Sequence, residues 1–341
     1  MSCFHPLYAR RRSRSERIAA ITERVSPNSL IFSHGEHELY SFHLDATSGE
    51  VCEWFTVPCG RCIGCRLAYS REWANRNVLE SLNYNECDNF FLTLTYDQDH
   101  VPLNDQGLLT TRLDDVSAFM KRLRRYYDYT YNHQNIRFFA SSEYGSETLR
   151  PHYHVSLFNC PIPDLKKLCV NFRGDVLYTS PSLEKIWGHG FVVVGQFAWN
   201  TAAYTARYIV KKLKGDAALE YNFFGLEPES TRMSRKPGIG MDYLNQYEDW
   251  MDIYLKDEIV LPSNSQKANV IKPPKIYDKK LQEADPKLYA KIKSKRAQAA
   301  EISQKAKLDQ SGYTKVEYFS IAERAQTTSV KQLKRIFADL T

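Results

Sequence analysis

No stretch of this 341-residue chain approaches the roughly 18 consecutive apolar residues that a membrane-spanning helix needs, so no such helix is expected. The leading MSCFHPLYARRRSRSER carries arginines with no apolar run behind them, which excludes a secretory signal and places the protein in the cytoplasm. Its eight cysteines are therefore expected as thiols or metal ligands and not as a disulfide framework, because the cytosol keeps thiols reduced. No internal repeat or long low-complexity tract is present. No GxxxxGK[ST] loop occurs either, so any strand unwinding must come from another protein.

Aromatic residues are plentiful, with 22 Tyr and 17 Phe, and tyrosine suits surfaces that stack bases. A net charge of +6 leans weakly towards a polyanionic partner. Its distribution says more: basic residues cluster at Arg10 to Arg12, Lys121 to Arg125, Lys211 to Lys214, Arg232 to Lys236, and along 272 to 307. The length allows one catalytic core with additions.

Secondary-structure signals become dense from residue 51. RLAYSREWANRNVLESLNY reads as a helix with an apolar stripe at Leu67, Trp73 or Ala74, Val78 and Leu82. FFLTLTY (Phe90 to Tyr96) reads as a buried strand, Asp114 to Tyr127 as a helix with Val116, Phe119, Met120 and Leu123 on one side, and Ile136 to Ser142 as a short aromatic strand. PHYHVSLF alternates, so His152, His154, Ser156 and Phe158 share one face, and Tyr153, Val155 and Leu157 the other. A short helix near Leu183 to Trp187, a strand at GFVVVGQF and a helix from Asn200 to Lys214, closed by Gly215, follow. The order β-α-β-β-(α)-β-α with short links predicts an α+β domain with a mainly antiparallel sheet. Beyond Gly215, Pro262, Pro273 and Pro274 amid polar residues read as a linker, and Asp278 to Lys307 as an exposed Lys-rich helix.

Two histidines at i and i+2 on a strand project both imidazoles from one face, about 7 Å apart at the backbone, close enough to share a metal ion. Alone the pair is also compatible with two half-buried surface histidines. Glu143 ends the preceding strand a short turn before His152, so hairpin pairing could bring its carboxylate to them; the alternative is a turn carboxylate paired with Arg150. Two imidazoles and a carboxylate suit Mn²⁺ or Mg²⁺ acting on phosphate, with Zn²⁺ also open from residue types alone.

In YTARYIVKKLKG, Ala202, Ala206, Ile209 and Leu213 form one stripe, and Tyr204, Tyr208 and Lys211 the opposite one. Two phenols one turn apart could present two nucleophiles to a metal-held phosphate, with Lys211 as the cation for the developing charge; ordinary packing of the tyrosines against a second element is the competing reading. Cys59, Cys62 and Cys65 give C-x₂-C-x₂-C, close to metal-binding spacing, with Cys3, His5 or Cys52 as a fourth ligand and Cys3 carried forward. Either a structural Zn²⁺ or a set of packing thiols beside the helix fits that block. SRKPGIG sets Arg235 and Lys236 beside a Pro-Gly turn whose amides could face phosphate, or forms a surface loop with solvated charges.

The set FLTLTY (Phe91 to Tyr96), PHYHVSLF (Pro151 to Phe158) and YTARYIVKK (Tyr204 to Lys212), in that order, resembles the three motifs of the HUH endonuclease superfamily. More closely, CFHPL, PCGRCIGCR, SSEYG, YTSPSLEKIWGHG and MSRKPGIG look like the replication initiators of the microviruses, especially the gokushovirus branch, so the resemblance spans about residues 1 to 245. It implies a ferredoxin-like, mainly antiparallel sheet with flanking helices, to which a cysteine-containing segment and a basic helical extension are added. It also implies that His152 and His154 are metal ligands with Glu143 as the third, and that Tyr204 and Tyr208 are the nucleophiles. Arg207 stands where relatives often carry Lys, which keeps the charge. Arg207, Lys212, Arg235 and Lys236 are expected to contact DNA.

The expected layout is an N-terminal extension over 1–88, a catalytic core over 89–215, a basic accessory segment over 216–262 and a linker with basic helical tail over 263–341. The expected function is a phage rolling-circle initiator in the host cytoplasm. It nicks single-stranded or melted viral origin DNA through a 5′-phosphotyrosyl intermediate, rejoins the circles, and works with a host helicase and polymerase. A plasmid initiator or transposase of the same superfamily, and a non-catalytic single-strand DNA-binding module, are the competing readings.

Overall fold

The structure is a computed structural model that describes residues 3–33, 42–145, 148–171, 174–199, 201–203, 206, 218–246, 250–262 and 269–331. The chain divides into two compact units, one of 1–66 with 306–330 and the other of 67–305 with 331–341. Among the described residues no helix is long and apolar enough to cross a membrane.

In the first unit, β1 (Leu7–Arg10) is followed by α1 (Arg14–Thr22), β2 (Ile31–Phe32), β3 (Phe42–Leu44), β4 (Val51–Glu53) and β5 (Phe55–Val57). β1 pairs antiparallel with β2 on one side and β5 on the other, and β3 pairs with β4. α1 starts at a capping box in which the Ser13 hydroxyl accepts from the Glu16 amide and the Glu16 carboxylate accepts from the Ser13 amide. Buried Arg10 donates two bonds of 2.6 Å to the same Glu16 carboxylate. The helix Lys315–Lys331 returns to this unit and sets Phe319 edge-on to Phe4, ring centroids 6.2 Å apart.

α2 (Ile63–Ser81) carries the chain into the second unit, where β6 (Phe90–Thr95), α3 (Leu113–Tyr131), β7 (Arg137–Tyr144), β8 (Pro151–Phe158), β9 (Lys166–Val170), β10 (Val176–Thr179), α4 (Pro181–Trp187), β11 (Val192–Gln196) and β12 (Thr231–Met233) follow. Among the described residues, seven strands make one sheet in the order β12-β7-β8-β6-β11-β10-β9, with every pair antiparallel. The expected α+β architecture is present. The β9–β10 hairpin was not expected: β9 is a Lys-bearing edge strand with little buried surface, so it carries no alternating signal.

The sheet is covered on both faces, which is why all of β8 is buried. On one face Leu92, Leu94, Tyr153, Val155 and Leu157 pack against the apolar stripe of α3 and against Trp187 of α4. The other face, which carries the histidines, holds Phe139 and Phe158 against Trp73, Ala74, Ala202 and Ala206. Trp73 stacks on Phe139 with centroids 4.9 Å apart.

Two expectations are corrected. On α2 the buried leucine is Leu79, not Leu82, which is 38% exposed. The helix has two apolar contacts in different directions: Trp73 and Ala74 meet the sheet, and Leu79 joins a cluster with Leu244, Tyr254, Tyr277 and Leu281. In place of the expected linker, Pro273 and Pro274 are buried and lead into the helix Lys275–Ala284, whose Tyr277 and Leu281 complete that cluster. Turn-forming prolines here open a packed helix, since proline is well tolerated just ahead of a helix.

Candidate metal centre and cysteine cluster

Register brings the three acid–imidazole residues together. β7 and β8 form a hairpin in which Glu143 lies opposite His152 and Ser141 opposite His154, so Glu143 projects from the same face as both histidines. Glu143 Oε2 is 3.0 Å from His152 Nε2 and 3.1 Å from His154 Nε2. All three side chains are buried, at 2%, 4% and 1% exposure, so water cannot freely solvate the carboxylate. The alternative pairing of Glu143 with Arg150 does not occur: the Arg150 guanidinium donates to the Tyr96 carbonyl and to Gln98.

Outer contacts set the tautomer of His152. Its Nδ1 lies 3.2 Å from the Arg150 carbonyl, which can only accept, so Nδ1 carries the proton and Nε2 presents its lone pair towards Glu143. His154 is held by Thr93, whose hydroxyl lies 3.3 Å from Nδ1, and by Phe91, stacked on its ring at 5.5 Å and 14°. Burial pushes the Glu143 pKa up, but the bonds to His152 and His154 outweigh it and hold the group well below the usual carboxylate range. Two nitrogens converging on one carboxylate oxygen need positive charge between them. The ligand atoms lie within 4.8 Å of one another, and an N₂O donor set of net charge −1 fits a divalent ion. Thr93 and Phe91 were missed as supporting residues. The signal was available, because Thr93 shares a strand face with Phe91 and Thr95 in the FLTLTY run.

A second cluster forms in the first unit. The sulfurs of Cys3, Cys59, Cys62 and Cys65 lie within 4.8 Å of one another. Cys3, Cys62 and Cys65 are buried. Of the three residues considered for the fourth position, Cys3 is the one present: His5 bonds Glu323 at 2.7 Å, and Cys52 sits on β4 opposite His43. Burial raises the Cys59 thiol, but the amides of Cys62 and Arg61, which donate to its sulfur, bring it down to about 7. Burial pushes Cys65 well up.

The family model for the replication-associated protein ORF2 matches residues 89–213, a span that holds Glu143, His152 and His154. Over 98% of its length the chain is 32% identical to the replication-associated protein ORF2 of Spiroplasma virus 4, covering 98% of that protein. This chain belongs to the microvirus replication-associated proteins. It is also 33% identical, over 75% of its length, to the replication-associated protein VP4 of Bdellovibrio phage phiMH2K, covering 78% of that relative. A third replication-associated protein, ORF4 of Chlamydia phage 1, is 32% identical over 57% of the chain and is covered over 47% of its own length. No solved structure matches the chain.

Within this replication-associated fold the remaining expected residues fall as follows. Tyr204, Arg207, Tyr208, Lys211 and Lys212 lie outside the described residues. Their neighbours Ala202 and Ala206 are buried among Phe139, Phe158 and Phe197 on the histidine-bearing face. Arg235 and Lys236 are exposed, as expected for surface cations. The turn that follows them is not an open phosphate cradle. The Gly240 amide donates to Glu80 at 2.6 Å, and the Pro237 and Ile239 carbonyls accept from Arg137 and Arg76. Gly240 has φ +78°, and an added Cβ would stand 2.8 Å from the Arg76 carbonyl oxygen, so the turn closes against α2 only with glycine there.

Proposed function

We propose that the chain initiates rolling-circle replication, nicking viral origin DNA by tyrosine transesterification and later rejoining the single-strand circle. The observation that carries this reading is the convergence of His152 Nε2 and His154 Nε2 on a single oxygen of buried Glu143. These three residues would hold Mn²⁺ or Mg²⁺, which supplies polarisation of the scissile phosphate.

The chain's own residues do the rest. The phenol oxygen of Tyr208 or Tyr204 attacks phosphorus; the new O–P bond forms as the P–O3′ bond breaks, the phenol loses its proton to solvent, and the departing 3′ oxygen takes one up to leave as a hydroxyl. The resulting 5′-phosphotyrosyl ester conserves the bond, so a 3′-hydroxyl can reverse the step without ATP. Lys211, one turn beyond Tyr208, offsets charge on the phosphate. Arg207, Lys212, Arg235 and Lys236 hold backbone phosphates, which position the strand without reading its sequence. Burial of Ala202 and Ala206 on the histidine-bearing face supports this reading, because it anchors the start of the tyrosine-bearing segment on that face.

Catalysis is assigned to residues 89–215 and structural support to a Zn²⁺ held by Cys3, Cys59, Cys62 and Cys65, four thiolates making a closed site. Strand separation and synthesis fall to a host helicase and polymerase in the host cytoplasm. The test is incubation with labelled single-strand origin DNA and Mn²⁺. A labelled protein band that survives denaturant is expected; a module that only binds DNA gives none.

A further inference from the structure

The sheet has a second charged feature at the end of β7 opposite to Glu143. There the end of α3, the start of β7 and the end of β12 enclose an open cavity of about 730 Å³ lined by Arg124, Arg125, Arg137 and Arg235. Asp128 is the acid on its lining, and that carboxylate already accepts from Gln134 at 2.8 Å. Arg137 and Glu143 are six residues apart on one strand, so the cavity lies about 20 Å from the metal centre.

The four arginines divide into two pairs. Arg124 and Arg137 build the wall: Arg124 donates to the Ile136 carbonyl and the Ser234 hydroxyl and lies over the Phe138 ring, while buried Arg137 pairs with Glu80 and donates to the Pro237 carbonyl. Burial, and after it the charge of Arg137, lowers the pKa of Arg124, the mark of two guanidinium groups crowded together. Arg125 and Arg235 are exposed and make no hydrogen bond or ion pair among the described residues. A wall of fixed, oriented cations with two uncommitted guanidinium forks at its mouth is suited to a phosphate, which accepts from such forks in bidentate fashion.

We propose that this cavity binds a backbone phosphate of the DNA strand about six nucleotides from the scissile one, the separation that about 20 Å represents at 3.4 Å per nucleotide. The proposal rests on the DNA-nicking reading above and adds a second, remote point of attachment. Such a contact fixes strand register relative to the metal centre and carries no sequence information of its own.

The experiment compares the full-length protein with the R125A/R235A double variant, binding two single strands: one of about four nucleotides centred on the nick, too short to reach, and one of about twenty. The double variant is expected to lose about tenfold in affinity for the long strand and about 1 from the slope of log affinity against log salt, with short-strand binding unchanged. R125K/R235K should recover the slope, which a fold defect would not permit. If the wild type binds the long strand and the double variant binds it equally well with the same slope, this proposal is overturned while the nicking reading stands. If the wild type binds neither strand, the nicking reading is overturned and this proposal with it. A third arm titrates ATP: loss of ATP binding in the double variant, with long-strand binding intact, assigns the cavity to a free nucleotide and overturns the proposal.

Discussion

Glu143 and His152 face each other directly across the β7–β8 ladder, with Oε2 and Nε2 3.0 Å apart, and the proton on His152 Nδ1 is committed to the Arg150 carbonyl. The imidazole therefore meets the carboxylate with a lone pair unless a cation or a second proton stands between them. That is the arrangement of a ligand set and not of a neutral hydrogen-bonded pair.

His152→Ala and His154→Ala should each reduce nicking by at least about 100-fold while leaving most DNA affinity, because scattered phosphate contacts dominate binding. Gel assays of cleavage and of binding, run side by side, check this. Glu143→Gln should nick more weakly and need a higher Mn²⁺ concentration. A variant of either histidine that nicks at the normal rate would remove the metal centre from the mechanism.

Tyr204→Phe and Tyr208→Phe should each keep a first cut on a short origin strand, fail to release closed circles, and be inactive together, since closing needs a free phenol while the other is esterified. The assay is circle release from a supercoiled origin plasmid supplied with helicase and polymerase. If one single variant loses all cleavage and the other releases circles normally, one tyrosine alone is the nucleophile.

Purified protein should carry about one equivalent of zinc, and serine at Cys3, Cys59, Cys62 or Cys65 should lower metal content and solubility more than specific activity. Elemental analysis decides it. Protein that holds neither zinc nor iron would leave the four thiols as packing groups.

Acid sensitivity should trace in part to Glu16. Bonds from Arg10 and, opposed by burial, from Ser13 hold its carboxyl at about 2 against an ordinary 4.5. A depressed folded value means that its contribution is fully present above pH 4.5, and is lost as pH falls from there through about 2. Glu16→Gln should flatten the pH dependence of denaturant midpoints across that window and leave the neutral region with a small uniform loss. An unchanged acid limb would show that Glu16 contributes nothing there.

His152 and His154 were legible as a same-face pair because side-chain direction in a strand follows from a local two-residue period, and the α3 stripe was legible for the equivalent helical reason. Chemistry read by type and short spacing was likewise available: an acid near the strand end, and three cysteines at close intervals ahead of a helix. Contacts between segments distant in the sequence were decided only by the tertiary structure. Glu143 reaches both imidazoles because the hairpin register sets it opposite His152, and a slip of one residue would have turned it to the other face. Cys3 meets Cys59 across more than fifty residues of chain, and no local pattern ranks it above His5 or Cys52. Leu79, in place of Leu82, is buried because a cluster built from residues 244 to 292 covers that side of α2, and burial is a property of the packed neighbour and not of the helix's own period.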